Sequence, residues 1–293
     1  MPDLEWSIII PVLNEQDNVA PLVSELEASL PRAGSDVAWE VIIVDDGSTD
    51  QTLSQLKQLA ASRPWLVVLH REQPRGQSAA MAAGIAAARG AYIGMLDGDL
   101  QNDPADLPRL FEIVRRGEAD LAQGDRTEAR NEGARRKLAT AVGRLFRQTL
   151  LGDPIRDTGC TLRVMRAGIA RQLPLHLRGM HRYVPVYARM LGARIVEVPV
   201  NHRPRTSGRA KYGMWDRAAV GLYDVLSVRW MLRRHRDPAA EWITPLGPET
   251  AACNSGEHGD RSAPESRPAP GPGTARASHP RLPPAVQHDG QAR

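Results

Sequence analysis

The first half of the chain alternates between short aliphatic runs and longer segments of helical periodicity, and the aliphatic runs end in acid. The runs are WSIIIPVL (6–13), WEVIIVDDG (39–47), LVVLHRE (66–72) and AYIGMLDGD (91–99). Between and after them lie helical patterns over 15–34, 48–64, 76–90 and 104–117. Continuous apolar strands separated by helices of about a dozen residues predict an α/β fold, a mostly parallel sheet covered by helices on both faces. In such sheets a ligand binds beyond the carboxyl ends of the strands. Those ends here are Asn14-Glu15, Asp45-Asp46 and Asp97-Gly98-Asp99, with Asp103 close behind. Desolvating a lone carboxylate costs several kcal/mol. Acids gathered at the mouth of a core therefore call for a compensating group.

Charge divides the chain. Residues 1–125 carry 9 basic and 20 acidic side chains, 126–236 carry 24 and 7, and 237–293 carry 5 and 7. An acidic half followed by a basic half suggests two anionic partners, one held through a cation and the other met directly by Arg and Lys. Two cysteines far apart, Cys160 and Cys253, exclude a disulfide framework and show no metal-ligand spacing. The N-terminus lacks the basic region of a signal peptide, and no run reaches the ~18 apolar residues of a membrane span.

After residue 125 the pattern predicts an Arg-rich helix over 135–152 and a strand or loop turning helical over 157–173. A helix follows Pro185, a strand with a basic end covers 193–205, and a long amphipathic helix covers 212–236. From 237 the chain holds 10 of its 23 prolines and almost no apolar periodicity, which predicts a disordered tail over 237–293.

The motif VIIVDDGSTDQT ends a strand and opens a capped helix, but capping does not explain Asp45 and Asp46. A dinucleotide fold would carry G-x-G-x-x-G after its first strand; PVLNEQDN stands there instead. In DGDLQNDP, two acids around one Gly can share a Mg²⁺ or Mn²⁺ ion. Such hard cations take oxygen ligands and are completed by substrate phosphates. The cation neutralises charge on a departing diphosphate.

With IIIPVLNEQDNV, VIIVDDGSTDQT, RGQSAAMAAGIAAARG, MLDGDLQNDP, GDR, DTGCTLRVMR and EVPVNHRPRTSGRAKY in that order over residues 7–212, the chain resembles the family 2 glycosyltransferases of the GT-A fold. It looks most like the branch of dolichyl-phosphate mannosyltransferases and polyprenyl-phosphate glycosyltransferases. The resemblance implies a Rossmann-like nucleotide-diphospho-sugar transferase domain over 1–236. Its donor and metal half would be 1–125, its acceptor half 126–212, and 213–236 an amphipathic helix. It also implies roles. Pro11, Asn14, Glu15 and Gly76 would border the nucleotide of a GDP- or UDP-sugar, Asp45 would contact the base, and Asp46 would lie beside the ribose. Asp97, Asp99 and Gln101 would hold Mg²⁺ or Mn²⁺ and the diphosphate. The acceptor would be a polyprenyl phosphate, whose charge of about −1.5 to −2 makes it nucleophilic without a general base. Arg126, Arg135, Arg136, Arg205 and Lys211 would bind that phosphate, Arg being suited to bidentate contact. Arg205 and Lys211 count with the catalytic set.

The chain departs from this pattern in places. Gly98 replaces the usual Ala of D-A-D. Asp125 adds an acid beside Arg126. The membrane helices of many relatives are not seen. The 213–236 helix, with Trp and a basic end, is suited either to lie on an anionic leaflet, which would place the protein on the inner face of the cytoplasmic membrane, or to pack on the chain's own sheet. Cys160 reads as structural. His181 reads as core or surface, with the acceptor route as the other option. No nucleic-acid partner is expected. The reading is metal-dependent, inverting sugar transfer to a polyprenyl phosphate at a membrane surface. Its alternatives are a family 2 transferase with another glycan or lipid acceptor, and a silent nucleotide-sugar-binding partner of a separate membrane protein.

Overall fold

The computed structural model describes residues 4–34, 36–129, 134–204 and 214–234, with side chains from 143 and 221 onward in the helices that begin at 134 and 214. Residues Met1–Asp237 form one compact unit. Arg205, Lys211, Cys253 and the 237–293 tail lie outside the described residues, as do the side chains of Arg135 and Arg136.

A sheet of seven strands forms the middle layer: β1 (Trp6–Val12), β2 (Trp39–Asp45), β3 (Leu66–His70), β4 (Tyr92–Met95), β5 (Leu121–Asp125), β6 (Arg163–Arg166) and β7 (Ile195–Pro199). Their spatial order is β3-β2-β1-β4-β6-β5-β7. All neighbours pair in parallel except β6, which runs antiparallel to both β4 and β5. The sheet is therefore mixed and mostly parallel, as the sequence predicts. The direction of winding reverses between β1 and β4, and a crevice opens at such a reversal.

Among the described residues are eight α-helices, seven between strands and one after β7: α1 (Val19–Ser29), α2 (Thr52–Ala60), α3 (Gln77–Ala87), α4 (Leu107–Arg115), α5 (Ala134–Leu151), α6 (Ala167–Ala170), α7 (Val184–Met190) and α8 (Met214–Arg234). Alternate residues of β1 separate two cores. Ile8, Ile10 and Val12 pack with Leu22 and Leu26 of α1, Leu56 of α2 and Phe111 of α4. Ile9 packs on the other face with Ala80, Met81 and Ile85 of α3, Tyr187 of α7 and Val228 of α8. Helix α3 is built of small residues because it lies almost on the sheet: a Cβ at Gly84 would stand 2.3 Å from Ile9 Cγ2.

The differences from the sequence reading have local causes. The first four strands end one to four residues before their runs do, where the chain leaves the ladder for the loops at the carboxyl edge. The helix after the first strand starts at Val19 rather than near 15, since residues 14–16 are drawn to the neighbouring loop. Helix α7 starts at Val184, one residue before Pro185, which tolerates the first turn where its missing N–H is not needed. Strand β5 was not foreseen. The edge strands β3 and β7 are only partly buried, so the prediction of cover on both faces holds for the central strands.

No helix among the described residues is long and apolar enough to cross a membrane. Helix α8 has two apolar stripes. Val225 and Val228 are buried against the core, and Tyr187 Oη meets Met231 Sδ at 3.0 Å. Leu222, Tyr223, Leu226 and Trp230 face outward, as do Leu145 and Phe146 of α5.

Candidate functional site

Pro11 opens the crevice. Ile9 is the last residue of β1 to pair with β4, and its carbonyl accepts Leu96 N–H at 3.2 Å. Two residues on, the backbone nitrogen of Pro11 faces the same side, but it has no hydrogen to donate. Pairing with β2 continues to Val12↔Asp45. The β1–β4 ladder thus stops where the acids of β4 begin.

The loops after β1 and β2 are stitched together. Asn14 N–H donates to Ser48 Oγ (2.9 Å), Thr49 N–H to Asn14 Oδ1 (2.8 Å), Glu15 N–H to Thr52 Oγ1 (2.8 Å), Gln16 N–H to Asp50 Oδ2 (3.3 Å) and Gln51 N–H to Gln16 Oε1 (3.1 Å). Asn14 adopts φ 58°, a left-handed conformation that Asn tolerates better than most residues.

Asp45 and Asp46 are engaged within the chain. Asp45 is sealed; its Oδ1 accepts Ser48 N–H at 3.3 Å and its Oδ2 lies 2.7 Å from His70 Nδ1. Asp46 accepts Arg75 N–H at 3.1 Å, Gly76 N–H at 2.7 Å and Arg71 Nη1–H at 3.1 Å. Arg71 also donates to Ala79 O. Asp46 therefore clamps residues 71–76, and Gly76, at φ 91°, turns the chain into α3. Of the sequence-predicted donor set, Pro11, Asn14, Glu15, Asp45, Asp46 and Gly76 thus all lie on one rim, where several serve the rim's own architecture.

Beyond β4, Gly98 lies flush on the end of β1: a Cβ there would stand 2.6 Å from Val12 Cγ1. This close approach favours Gly at position 98. Gln77, the first residue of α3, donates its side-chain amide to Asp97 Oδ1 at 2.7 Å. Burial first, and then the Asp99 carboxylate, push Asp97 up to about 6, against the Thr161 hydroxyl and the Arg126 and Arg163 guanidiniums. Asp99 Oδ1 accepts Gln101 N–H at 3.2 Å, while the Gln101 side chain makes no hydrogen bond among the described residues. The described residues contain no cluster of three His, Cys, Asp or Glu side chains able to hold a metal. Two carboxylates that repel each other, with an amide oxygen two residues on, nevertheless suit a hard divalent cation whose remaining positions are filled by water and phosphate.

Arg126 follows β5 and is buried. Its Nε and Nη2 donate to the two oxygens of Asp157 at 2.8 and 3.1 Å. Burial works against its charge, and Asp157, helped by Cys160 and Asp97, more than offsets that. The acid beside it, Asp125, accepts Thr127 N–H and Oγ1–H and pairs with Arg156 at 2.8 Å, so Asp125 does not compete for Arg126. Arg135 lies in the first turn of α5, with Arg136 next to it. Arg203 ties the segment after β7 to this site: its N–H donates to Gln101 O at 2.8 Å, and its guanidinium meets Glu25 and Asp103, both at 2.8 Å.

The sequence reading did not single out His70, Gln77, Asp157 or Arg163. Arg163 is buried on β6 and donates to Cys160 O and to His181 O at 3.3 Å; burial pulls it down to about 10. His181 is half-buried. Burial lowers it to about 3, and Ser78 Oγ lies 2.8 Å from its Nδ1, which fits the core role. Cys160 is a free, buried thiol pushed up to about 11 by burial, in keeping with a structural part. Only Gln77 had a usable signal, as the residue after the Gly that opens α3.

The family profile described as Glycosyl transferase family 2 matches residues 7–173. Among curated proteins, the dodecaprenyl-phosphate galacturonate synthase of Rhizobium johnstonii is 36% identical over 238 residues, 80% of this chain and 69% of that protein. The undecaprenyl-phosphate 4-deoxy-4-formamido-L-arabinose transferase of Edwardsiella ictaluri is 33% identical over 224 residues, 75% of this chain and 66% of that protein. The chain thus spans about two thirds of the length of these relatives. Among solved structures, a mannosyltransferase from Pyrobaculum calidifontis in complex with GDP-Man and Mn²⁺ aligns with TM-score 0.57 at 18% identity, covering 81% of this chain and 68% of that one. Glucosyl-3-phosphoglycerate synthase from Mycobacterium tuberculosis, in complex with Mn²⁺, UDP and phosphoglyceric acid, aligns with TM-score 0.57 at 19% identity, covering 80% of each chain.

Proposed function

The chain belongs to glycosyl transferase family 2, and from that premise we propose that it transfers a sugar from a nucleoside diphosphate sugar to the phosphate of a polyprenyl phosphate. That it is a glycosyltransferase with the GT-A fold follows from the family match and from its relatives. The acceptor reading is carried by the relatives, two sugar transferases named for polyprenyl phosphates. The donor and metal reading is carried by one observation here: Asp97 and Asp99 stand together at the β1–β4 reversal, with Asp97 raised to about 6.

In this reading Asp97, Asp99 and Gln101 hold Mg²⁺ or Mn²⁺. The bound cation supplies neutralisation of the charge that builds on the leaving diphosphate. The chain's residues do the rest. Gln77 orients Asp97. The stitched loops of Pro11, Asn14 and Glu15, with Asp46 and Gly76, shape the nucleotide rim. Arg126 is held by Asp157 and lends positive potential near Asp97 rather than a free fork. Arg135, Arg136, Arg205 and Lys211 are the cations assigned to the acceptor phosphate, which attacks in line and inverts the anomeric centre. The outward stripe of α8 and the neighbouring apolar residues of α5, with Arg233 and Arg234 at the end of α8, support action on the inner face of an anionic membrane.

The test is product formation from a panel of UDP- and GDP-sugars with Mn²⁺ or Mg²⁺, with and without a short polyprenyl phosphate. Transfer that needs metal and lipid phosphate together and disappears in Asp99→Ala is the expected result. Transfer to another acceptor, or nucleotide binding without transfer to lipid phosphate, would replace this reading.

A further inference from the structure

Strand β3 ends on His70, whose register partner on β2 is Asp45. The pair sits at the carboxyl edge of the sheet, on the face occupied by α1 and α2. Three strand spacings, about 14 Å, separate β3 from β4, where Asp97 and Asp99 leave the sheet. That distance matches an extended nucleoside diphosphate with its phosphates at β4 and its base at β3.

Three polar side chains at these strand ends, those of Asp45, Asp46 and Arg71, are already used. Asp45 is fully enclosed and both its oxygens have partners. Asp46 is spent on the 71–76 loop, and Arg71 on Asp46 and Ala79 O. His70 differs. Its side chain is 36% exposed against 0% for Asp45. Its Nδ1 faces the carboxylate, and its Nε2 has no hydrogen-bond partner among the described residues. A carboxylate only accepts. In the neutral ring the proton therefore sits on Nδ1, and Nε2 keeps its lone pair. A buried carboxylate that fixes tautomer and ring orientation is a common way to present the other nitrogen to a ligand.

We infer that His70, oriented by Asp45, is the base-selecting residue of the donor site, its Nε2 accepting the ring N–H that uracil and guanine carry and that cytosine and adenine lack. Uracil offers N3–H and guanine N1–H; the equivalent ring nitrogens of cytosine and adenine are acceptors and would meet the Nε2 lone pair head-on. Asp45 is then a positioning residue, one step removed from the base contact its motif suggests. The inference deepens the donor half of the proposed function and rests on it.

The experiment is calorimetric titration of the full chain with UDP, GDP, CDP and ADP in the presence of Mn²⁺, for the unmodified protein, His70→Ala and His70→Gln. The unmodified protein should favour UDP or GDP over CDP and ADP, and which of the two it favours identifies the base. His70→Ala should weaken the favoured diphosphate by roughly five- to tenfold and leave CDP and ADP unchanged, so that the preference collapses. His70→Gln, whose amide oxygen can accept in place of Nε2 and whose amide N–H can face Asp45, should keep part of it. An unchanged preference in His70→Ala, or none in the unmodified protein, would overturn the inference while leaving a nucleotide-binding enzyme in place. Failure of all four diphosphates to bind the unmodified protein would overturn both this inference and the proposed donor.

Discussion

Replacing Asp97 by Asn should make the metal-free protein more stable at neutral pH. An ordinary Asp loses its proton near 3.8, and in the fold Asp97 holds it to about 6. Below about pH 4 both folded and unfolded chains carry the proton and the group is neutral to stability. Between 4 and 6 the unfolded chain ionises first and folding loses ground; above about 6 the full penalty applies. The difference of about 2 pK units is worth at most ~3 kcal/mol at 1.36 kcal/mol per unit. Asn keeps an acceptor for Gln77 and removes the charge, so it recovers part of that sum. For a domain of this size, 1 kcal/mol moves Tm by about 2–4 °C, which puts the expected gain at roughly 3–9 °C. Thermal melts of both proteins in EDTA, stepped from acid to neutral pH, read the effect as a gap that opens through the 4–6 window. Mn²⁺ should then raise the Tm of the unmodified protein and leave that of Asp97→Asn unmoved. A variant that melts at or below the parent at neutral pH, or a gap that does not change with pH, would refute the reasoning.

Gly98→Ala should cost about 1–3 kcal/mol in urea denaturation because its Cβ would meet Val12 Cγ1 at 2.6 Å; pairing it with Val12→Ala should cost less than the two single changes summed. Arg126→Ala and Asp157→Ala should each cost about 3–5 kcal/mol by stranding a buried charge, and the double variant should lose much less than their sum; strict additivity would show that the pair does not act as one unit. Gln77→Leu should weaken Mn²⁺ binding about tenfold or more, read by metal titration of Tm, while nucleotide affinity without metal stays unchanged.

The sequence makes the donor half of the fold easy to read because β1, β2 and β4 are nearly pure aliphatic runs that end in acids, and such runs have few other uses. The edges blur because the ladders end before the runs do, where the chain leaves for the loops at the carboxyl edge. Strand β5 stayed hidden for a different reason. LAQGD has a Gln and a Gly at its centre, and nothing local shows that the Gln123 amide will donate to the carbonyls of Asp157 and Cys160. Its neighbours β6 and β7 come from 40 or more residues away, beyond the reach of local periodicity. The same holds for the site. Asp97, Asp99 and Gln101 announce themselves as a motif. The Arg126–Asp157 pair spans 31 positions and the His70–Asp45 pair 25; both exist only once the sheet has brought them together.

The stitching of residues 14–16 to residues 48–52 bears on how the rim greets a ligand. A free loop must be ordered when a nucleotide lands, at about 1–2 kcal/mol for each backbone residue fixed. Here that ordering is completed during folding, by side chains that have no need to touch the ligand at all. The rim therefore acts as a rigid receptor, and nucleotide binding should carry little of the entropy loss that marks a closing loop. Loosening Asn14 or Ser48 would appear first as weaker binding with a steeper entropic penalty, even though the chemistry lies a strand or two away.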